Sequence, residues 1–211
     1  MFTFDTVRYG LTVKKKFHII TRNTDVNYIK LLDNCYQSII NQDIDYEWFI
    51  ISTNNIDVSK YKNTKLLKFD KKPDWANLIN HYLDNYNIRD SWIYVLDNDN
   101  LLHPNFNKLN NIISGTDDVV IFSQQLGPTQ TRVVNDHWPH IENIDNAQCC
   151  IKRSIIGDLR YWNTYRTDGY FITELKIKCR EKINGSTEKT PYNFKIHHEV
   201  LSYYNAQKWL L

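Results

Sequence analysis

The chain of 211 residues carries 26 Lys+Arg against 24 Asp+Glu, a formal net charge of +2, with 6 Trp, 14 Tyr and 9 Phe. That length suits one domain with a substantial core and excludes a multidomain machine, while the near-balanced charge, without a polybasic tail, disfavours bulk DNA or RNA binding. No apolar run approaches the roughly 18–20 residues needed to cross a bilayer and no secretory leader is evident at the start, so the expectation is a soluble cytoplasmic protein.

From the N-terminus, apolar runs bounded by polar turns predict buried strands at 17–20 (FHII), 48–52 (WFIIS), 65–69 (KLLKF), 92–96 (WIYVL) and 119–123 (VVIFS), on their β-branched and aromatic content. Between them, Tyr28, Leu31, Leu32, Cys35 and Ile39 recur at helical spacing, as do Trp75, Leu78, Ile79, Tyr82 and Leu83. Each set falls on one helix face. Strand, helix, strand, strand, helix, strand is the order of an α/β domain with a mostly parallel sheet and right-handed crossovers. No internal repeat is present, and the one linker-like stretch, 181–191, is too short to separate domains. Cys35, Cys149, Cys150 and Cys179 form no CxxC pair, which predicts reduced thiols. Asn and Ile number 24 each, a bias that points to an AT-rich coding genome and says nothing about mechanism.

In sheets of this kind ligands bind beyond the carboxyl ends of the strands. Those ends read Thr21-Arg22-Asn23, Ser52-Thr53-Asn54-Asn55, Asp97-Asn98-Asp99-Asn100 and Ser123-Gln124-Gln125. Thr21, Arg22 and Asn23, with Ser52, Asn54 and Asn98, are therefore candidates to line a ligand site. All four ends are polar and none is Gly-rich; neither a GxGxxG nor a GxxxxGK[ST] string exists, which sets aside Rossmann dehydrogenases and P-loop kinases. With 18 Asp in the chain, one or two Asp-x-Asp tripeptides arise by chance, and there are two. Asp43-Ile44-Asp45 follows a helical segment, whereas Asp97-Asn98-Asp99 ends the most hydrophobic strand. Carboxylates so placed can hold one hard divalent cation that also binds a diphosphate; the alternative is a solvated turn.

Three stretches together resemble inverting GT-A glycosyltransferases of the family 2 type. The stretch IITRNTDVNYIKLLDNCYQSIINQDIDYEWFIIS is similar to that group's opening strand, helix and second strand. WIYVLDNDNLLHPNF resembles its strand-plus-DxD element with a trailing Pro, and IDNAQCCIKRSIIGDLRYWNTYRTDGYF its acceptor-side helix ending in an acidic residue before a second helix. The resemblance covers most of residues 17–205 and implies a single GT-A domain: a Rossmann-like nucleotide-sugar half over about 17–100 and an acceptor half over about 101–211. Where the group carries an Asp pair after its second strand, this chain has Ser52-Thr53-Asn54-Asn55. Its usual Gln/Arg-x-x-Arg-Trp acceptor motif is not evident. Small enzymes of this type occur in large DNA viruses, which fits the base-composition bias and would mean the host cytoplasm.

The implied activity is transfer of a sugar from a nucleoside diphosphate, UDP before GDP, to a hydroxyl of a glycan acceptor, with Mn2+ or Mg2+. The resemblance implies that Asp97 and Asp99 contact the ribose and the metal, Asp99 being the stronger ligand. It implies that Asp168, in Thr167-Asp168-Gly169, is the general base, and that one of His197 and His198 completes the metal shell. Each has a plainer reading: Asp168 as a helix N-cap, the histidines as one packed and one exposed ring on a strand. Trp75 and Asn77 open the second helix, where free N–H groups suit an anion, although Asp74 also reads as a simple N-cap. Trp138, Trp162, Tyr165 and Tyr170 are candidates to stack on sugar faces, or else core aromatics. Asp136, His137, His140 and Glu142 group ligand types, but Trp138 and Pro139 break any helix there, and 125–143 reads better as a loop over the acceptor side. The competing functions are a nucleotidyltransferase, whose Gly/Arg/Lys-rich first loop is missing, and a catalytically silent glycan-binding module.

Overall fold

Alternation along the first strand, β1 (Lys16–Asn23), sends Phe17 and Ile19 to one face of the sheet and Ile20 to the other. Both faces are covered. Helix α1 (Ile29–Ile40) buries Leu32, Cys35 and Ile39 against the Phe17/Ile19 face, together with Trp48 and Ile50 of β2 (Asp45–Ser52). Helix α2 (Trp75–Asn85) buries Leu78, Ile79, Tyr82 and Leu83 against the Ile20 face, with Phe49 and Ile51 of β2 and Leu67 of β3 (Thr64–Lys68). Double coverage is why these strands read as unbroken apolar runs. Strands β3, β2, β1 and β4 (Trp92–Val95) pair in that order, all parallel. The predicted strands and helices of this part are observed within a few residues of their expected ends.

The computed structural model describes residues 14–23, 29–70, 74–86, 88, 90–134, 144–184 and 193–209. Beyond β4 come β5 (Leu101–Leu102), α3 (Leu109–Ile112), β6 (Asp117–Gln125), β7 (Thr131–Arg132), β8 (Cys149–Lys152), α4 (Arg153–Ile156), α5 (Thr167–Asn184) and β9 (Asn193–Tyr203). They extend the sheet in the order β4-β8-β6-β9-β5, with β7 on β6. Strand β8 runs antiparallel to both β4 and β6, and β6 is parallel to β9. Six of the nine described strands (β1, β2, β3, β4, β6 and β9) therefore point the same way. This is a mixed α/β single domain on one mostly parallel sheet, as expected.

Two local expectations change. The stretch at 144–171 is not one helix: a 3₁₀ turn at Asn146–Gln148 leads into β8, then α4, a loop, and α5. The supposed linker begins inside α5, whose helical backbone continues to Asn184. Among the described residues no helix is long and apolar enough to cross a membrane. Cys35, Cys149 and Cys150 are buried free thiols.

Candidate active site

A cleft of about 320 Å³ opens at the carboxyl ends of β1 and β4. Arg22 from β1, Trp75 from the start of α2, Asp97 to Asn100 from the turn after β4, Asp145, and Asp168 near the start of α5 line it, with Thr164, Tyr165, Thr167 and Tyr204. The Asp97–Asn100 turn is closed by Asn100 N–H donating to the Asp97 carbonyl at 2.9 Å. It is held from three sides: Asn98 Nδ2 donates to Asn23 Oδ1 at 3.0 Å, Asn205 N–H to Asn100 Oδ1 at 2.8 Å, and Gln207 Nε2 to the Asn98 carbonyl at 3.0 Å. Segments more than 100 residues apart thus fix one turn.

Arg22 is buried, and its guanidinium grips Asp97 with two parallel donors, Nε to Oδ1 at 2.6 Å and Nη2 to Oδ2. This bidentate fork is the strongest kind of carboxylate contact. The same guanidinium lies over the exposed Trp75 ring, 4.8 Å from its centroid. Burial opposes the Arg22 charge, but Asp97 outweighs it and keeps the group protonated. Asp99 differs: among the described residues it forms no ion pair, and burial and the adjacent Asp97 push its carboxyl above the usual range.

Asp168 is the second residue of α5. Its carboxylate does not cap the helix; it turns to Asn146, accepting from Asn146 Nδ2 at 2.6 Å on Oδ1 and from Asn146 N–H at 3.2 Å on Oδ2. Burial pushes the Asp168 carboxyl up to about 7; Arg22 opposes the rise, while Asp145 and Asp97 add to it. Asp145 is committed elsewhere. Its side chain caps the 3₁₀ turn, accepting from Ala147 N–H at 2.8 Å in a capping box closed by Gln148, and Arg132 lies 3.9 Å away.

Of the sequence candidates, Arg22, Trp75, Asp97, Asn98, Asp99, Tyr165 and Asp168 meet in this cleft. Others sit elsewhere. Thr21 is a buried relay, its Oγ1 donating to the Leu96 carbonyl and accepting from Trp48 Nε1. Asn23 supports Asn98 from behind. Ser52 accepts from Asn54 N–H in the turn after β2. Asn77 donates to Asp74, which is the N-cap of α2. Trp162 and Tyr170 stack on one another at 5.6 Å and are not part of the cleft lining; Trp138 lies outside the described residues, as do Asp136, His137, His140 and Glu142.

The two histidines lie on β9. His197 pairs with Phe122 and Val200 with Ser123, so His198 and Glu199 fall in an irregularity of the β6–β9 ladder where simple alternation does not hold. His197 Nε2 faces Glu199 at 3.3 Å, and His198 Nδ1 faces the Val134 carbonyl at 2.7 Å. Neither lines the cleft, and among the described residues no cluster of three or more His, Cys, Asp or Glu forms a metal cage. Sequence reasoning missed Asp145, Asn100, Thr164, Thr167 and Tyr204. The Asp145-x-x-Gln148 capping box was a readable signal, but it announces a helical turn rather than a cleft.

No family model matches the sequence, and no curated protein does. Among solved structures, S. aureus TarS 1-349 superimposes with a TM-score of 0.66 at 13% identity, covering 89% of this chain and 60% of that one. TarS 1-349 in complex with UDP-GlcNAc gives 0.65 at 14%, over 90% and 58%. The mannosyltransferase PcManGT from Pyrobaculum calidifontis, in complex with GDP-Man and Mn2+, gives 0.65 at 12%, over 92% and 58%. This chain thus spans about three-fifths of the length of these structures. What is shared at such identities is the fold: the α/β sheet described above is common to this chain and these solved structures.

Proposed function

We propose that the chain is an inverting, metal-dependent glycosyltransferase that moves a sugar from a nucleoside diphosphate, UDP before GDP, to a hydroxyl of a glycan. The observation that carries this reading is the convergence of Arg22, Asp97-Asn98-Asp99 and Asp168 on one cleft at the carboxyl ends of parallel strands. Solved structures of the same fold hold UDP-GlcNAc in one case and GDP-Man with Mn2+ in another.

The donor set suits a hard divalent cation. Asp99 presents carboxylate oxygens in the cleft and forms no ion pair among the described residues; burial and the adjacent Asp97 raise its carboxyl. Mg2+ is ordinarily held by one or two carboxylates completed by substrate phosphates and water. When bound, such a cation offsets the charge that grows on the departing diphosphate. Asp97 is occupied by Arg22, so its part is to hold the guanidinium beside the donor. Trp75 and Tyr165 give the cleft exposed aromatic faces for a base or a sugar ring.

In the transfer, the acceptor oxygen forms a bond to the anomeric carbon as the carbon–oxygen bond to the diphosphate breaks, and the diphosphate leaves with that electron pair. The acceptor proton passes to Asp168. A carboxylate that titrates near 7 is a competent base at neutral pH. Asp145, by contrast, is tied into its capping box.

Thermal melting with UDP, GDP and their sugars, with and without Mn2+, tests the reading, because a ligand that binds only the native state raises apparent stability. The expected result is a Mn2+-dependent rise with one nucleotide that Asp99→Asn removes. Sugar binding without nucleotide or cation would instead mark a silent glycan-binding module, and release of pyrophosphate from a nucleoside triphosphate would mark a nucleotidyltransferase.

A further inference from the structure

We propose that Asn146 is the positioning residue of Asp168, and that Tyr161 fixes which way round the Asn146 amide sits. The inference rests on the reading of Asp168 as the base. The Tyr161 hydroxyl donates to Asn146 Oδ1 at 3.0 Å, while Asn146 Nδ2 donates to Asp168 Oδ1 at 2.6 Å. An amide has one accepting and one donating end. With Tyr161 as a donor, the oxygen must face Tyr161 and the NH2 must face the carboxylate. A phenol is the right lock here because burial and the nearby Asp168 hold Tyr161 far above its ordinary titration range, so it stays a donor at all working pH.

Tyr161 is itself fixed. Its ring stacks flat on Phe171 of α5 at 3.9 Å, one helical turn beyond Asp168. Its backbone is held on both sides by Asn80 of α2: Tyr161 N–H donates to Asn80 Oδ1 at 2.8 Å and Asn80 Nδ2 donates to the Tyr161 carbonyl at 2.9 Å. The chain Asn80–Tyr161–Asn146–Asp168 therefore ties the base to the helix that carries Trp75. The charged and titratable groups facing Asp168 are Arg22 from β1, Asp97 after β4, Asp145 beside the 3₁₀ turn, and Cys149 and Tyr161. Two of these are carboxylates that oppose ionisation. The correctly turned amide supports the carboxylate form against them, and a reversed amide would aim its oxygen at the charge.

Tyr161→Phe keeps the stack and both Asn80 bonds and removes only the lock. Expected are a melting temperature and donor affinity close to wild type, with kcat lowered severalfold or more at pH 7 and recovered at higher pH. Asp168 should titrate about one pH unit higher, the scale of a single hydrogen bond to a charged group, read by carbon NMR of its carboxyl in the free protein. An unchanged Asp168 titration and kcat in the variant would overturn the proposal, and so would a fall in kcat equal at every pH. In wild type, whatever the fate of the variant, the Asn146 side-chain amide resonance must move with the titration of Asp168; an unresponsive amide also overturns it. Retained turnover in Asp168→Asn would instead remove the underlying base reading, which separates the two failures.

Discussion

The first half of the sheet, through β4, and the second half, from β5 on, build one cleft by different means. In the first, parallel strands covered on both faces by α1 and α2 bring Arg22 and the Asp97–Asn100 turn to a common edge, and Arg22 is matched to Asp97 by a bidentate fork. The second half contributes Asp145 and Asp168 from a 3₁₀ cap and a helix start, and their carboxyls are pushed up by burial. Arg22 neutralises Asp97 through a bidentate fork, whereas Asp99 beside it and Asp168 across the cleft carry carboxyls raised mainly by burial. Compensated charge holds a fold together; uncompensated charge on a cleft wall is where a proton or cation is exchanged.

If that contrast holds, removing Arg22 should be the most damaging single change to stability. Arg22→Met leaves Asp97 without its partner, and breaking a buried pair by removing one member costs roughly 3–5 kcal/mol, toward the low end here because Asp97 is 22% exposed. Denaturant unfolding of Arg22→Met, Asp97→Asn and the double variant checks this. The double variant should recover part of the loss; strict additivity would mean that the two groups do not interact.

On the second side the sign reverses. The folded Asp168 carboxyl titrates near 7, above the ordinary carboxylate value, so the native state binds more protons than the unfolded chain between about pH 4 and 7. The Asp168 contribution to stability is then fully present below about pH 4 and is lost as pH rises through about 7. Asp168→Asn should raise stability at pH 8, by roughly 3 kcal/mol or less, and leave it nearly unchanged at pH 4. A variant that destabilises equally at both pH values would erase the distinction between the halves. A smaller effect belongs to Asp74, which caps α2 without lining the cleft. Asp74→Ala should cost about 1 kcal/mol and leave donor affinity unchanged, as measured by unfolding and by titration of the nucleotide.

The same division explains what was legible in the sequence. Strands β1 to β4 are apolar on both faces and α1 and α2 have one apolar stripe, so periodicity wrote them out, and reading past the strand ends reached Arg22 and Asp97 to Asp99. Asp168 stood out only through resemblance, because the Asn146 contact that orients its carboxylate comes from 22 residues away in the chain. Strand β8 is only four residues, Cys149–Lys152, and its place between β4 and β6 is set by long-range pairing that no local pattern carries. The β6–β9 irregularity at His198 and Glu199 breaks the simple alternation expected of the two histidines. Asp145 carried a visible capping signal, but nothing near it in sequence says that its turn closes the cleft.

The most direct measurement compares turnover and donor binding in wild type and Asp168→Asn, using the nucleotide sugar that gives the Mn2+-dependent stabilisation. Asp168 as the base predicts donor affinity within about twofold of wild type and a fall in kcat of roughly 10²–10⁴, the range general-base catalysis supplies. Turnover close to wild type in that variant, with the donor bound as tightly as before, would contradict it.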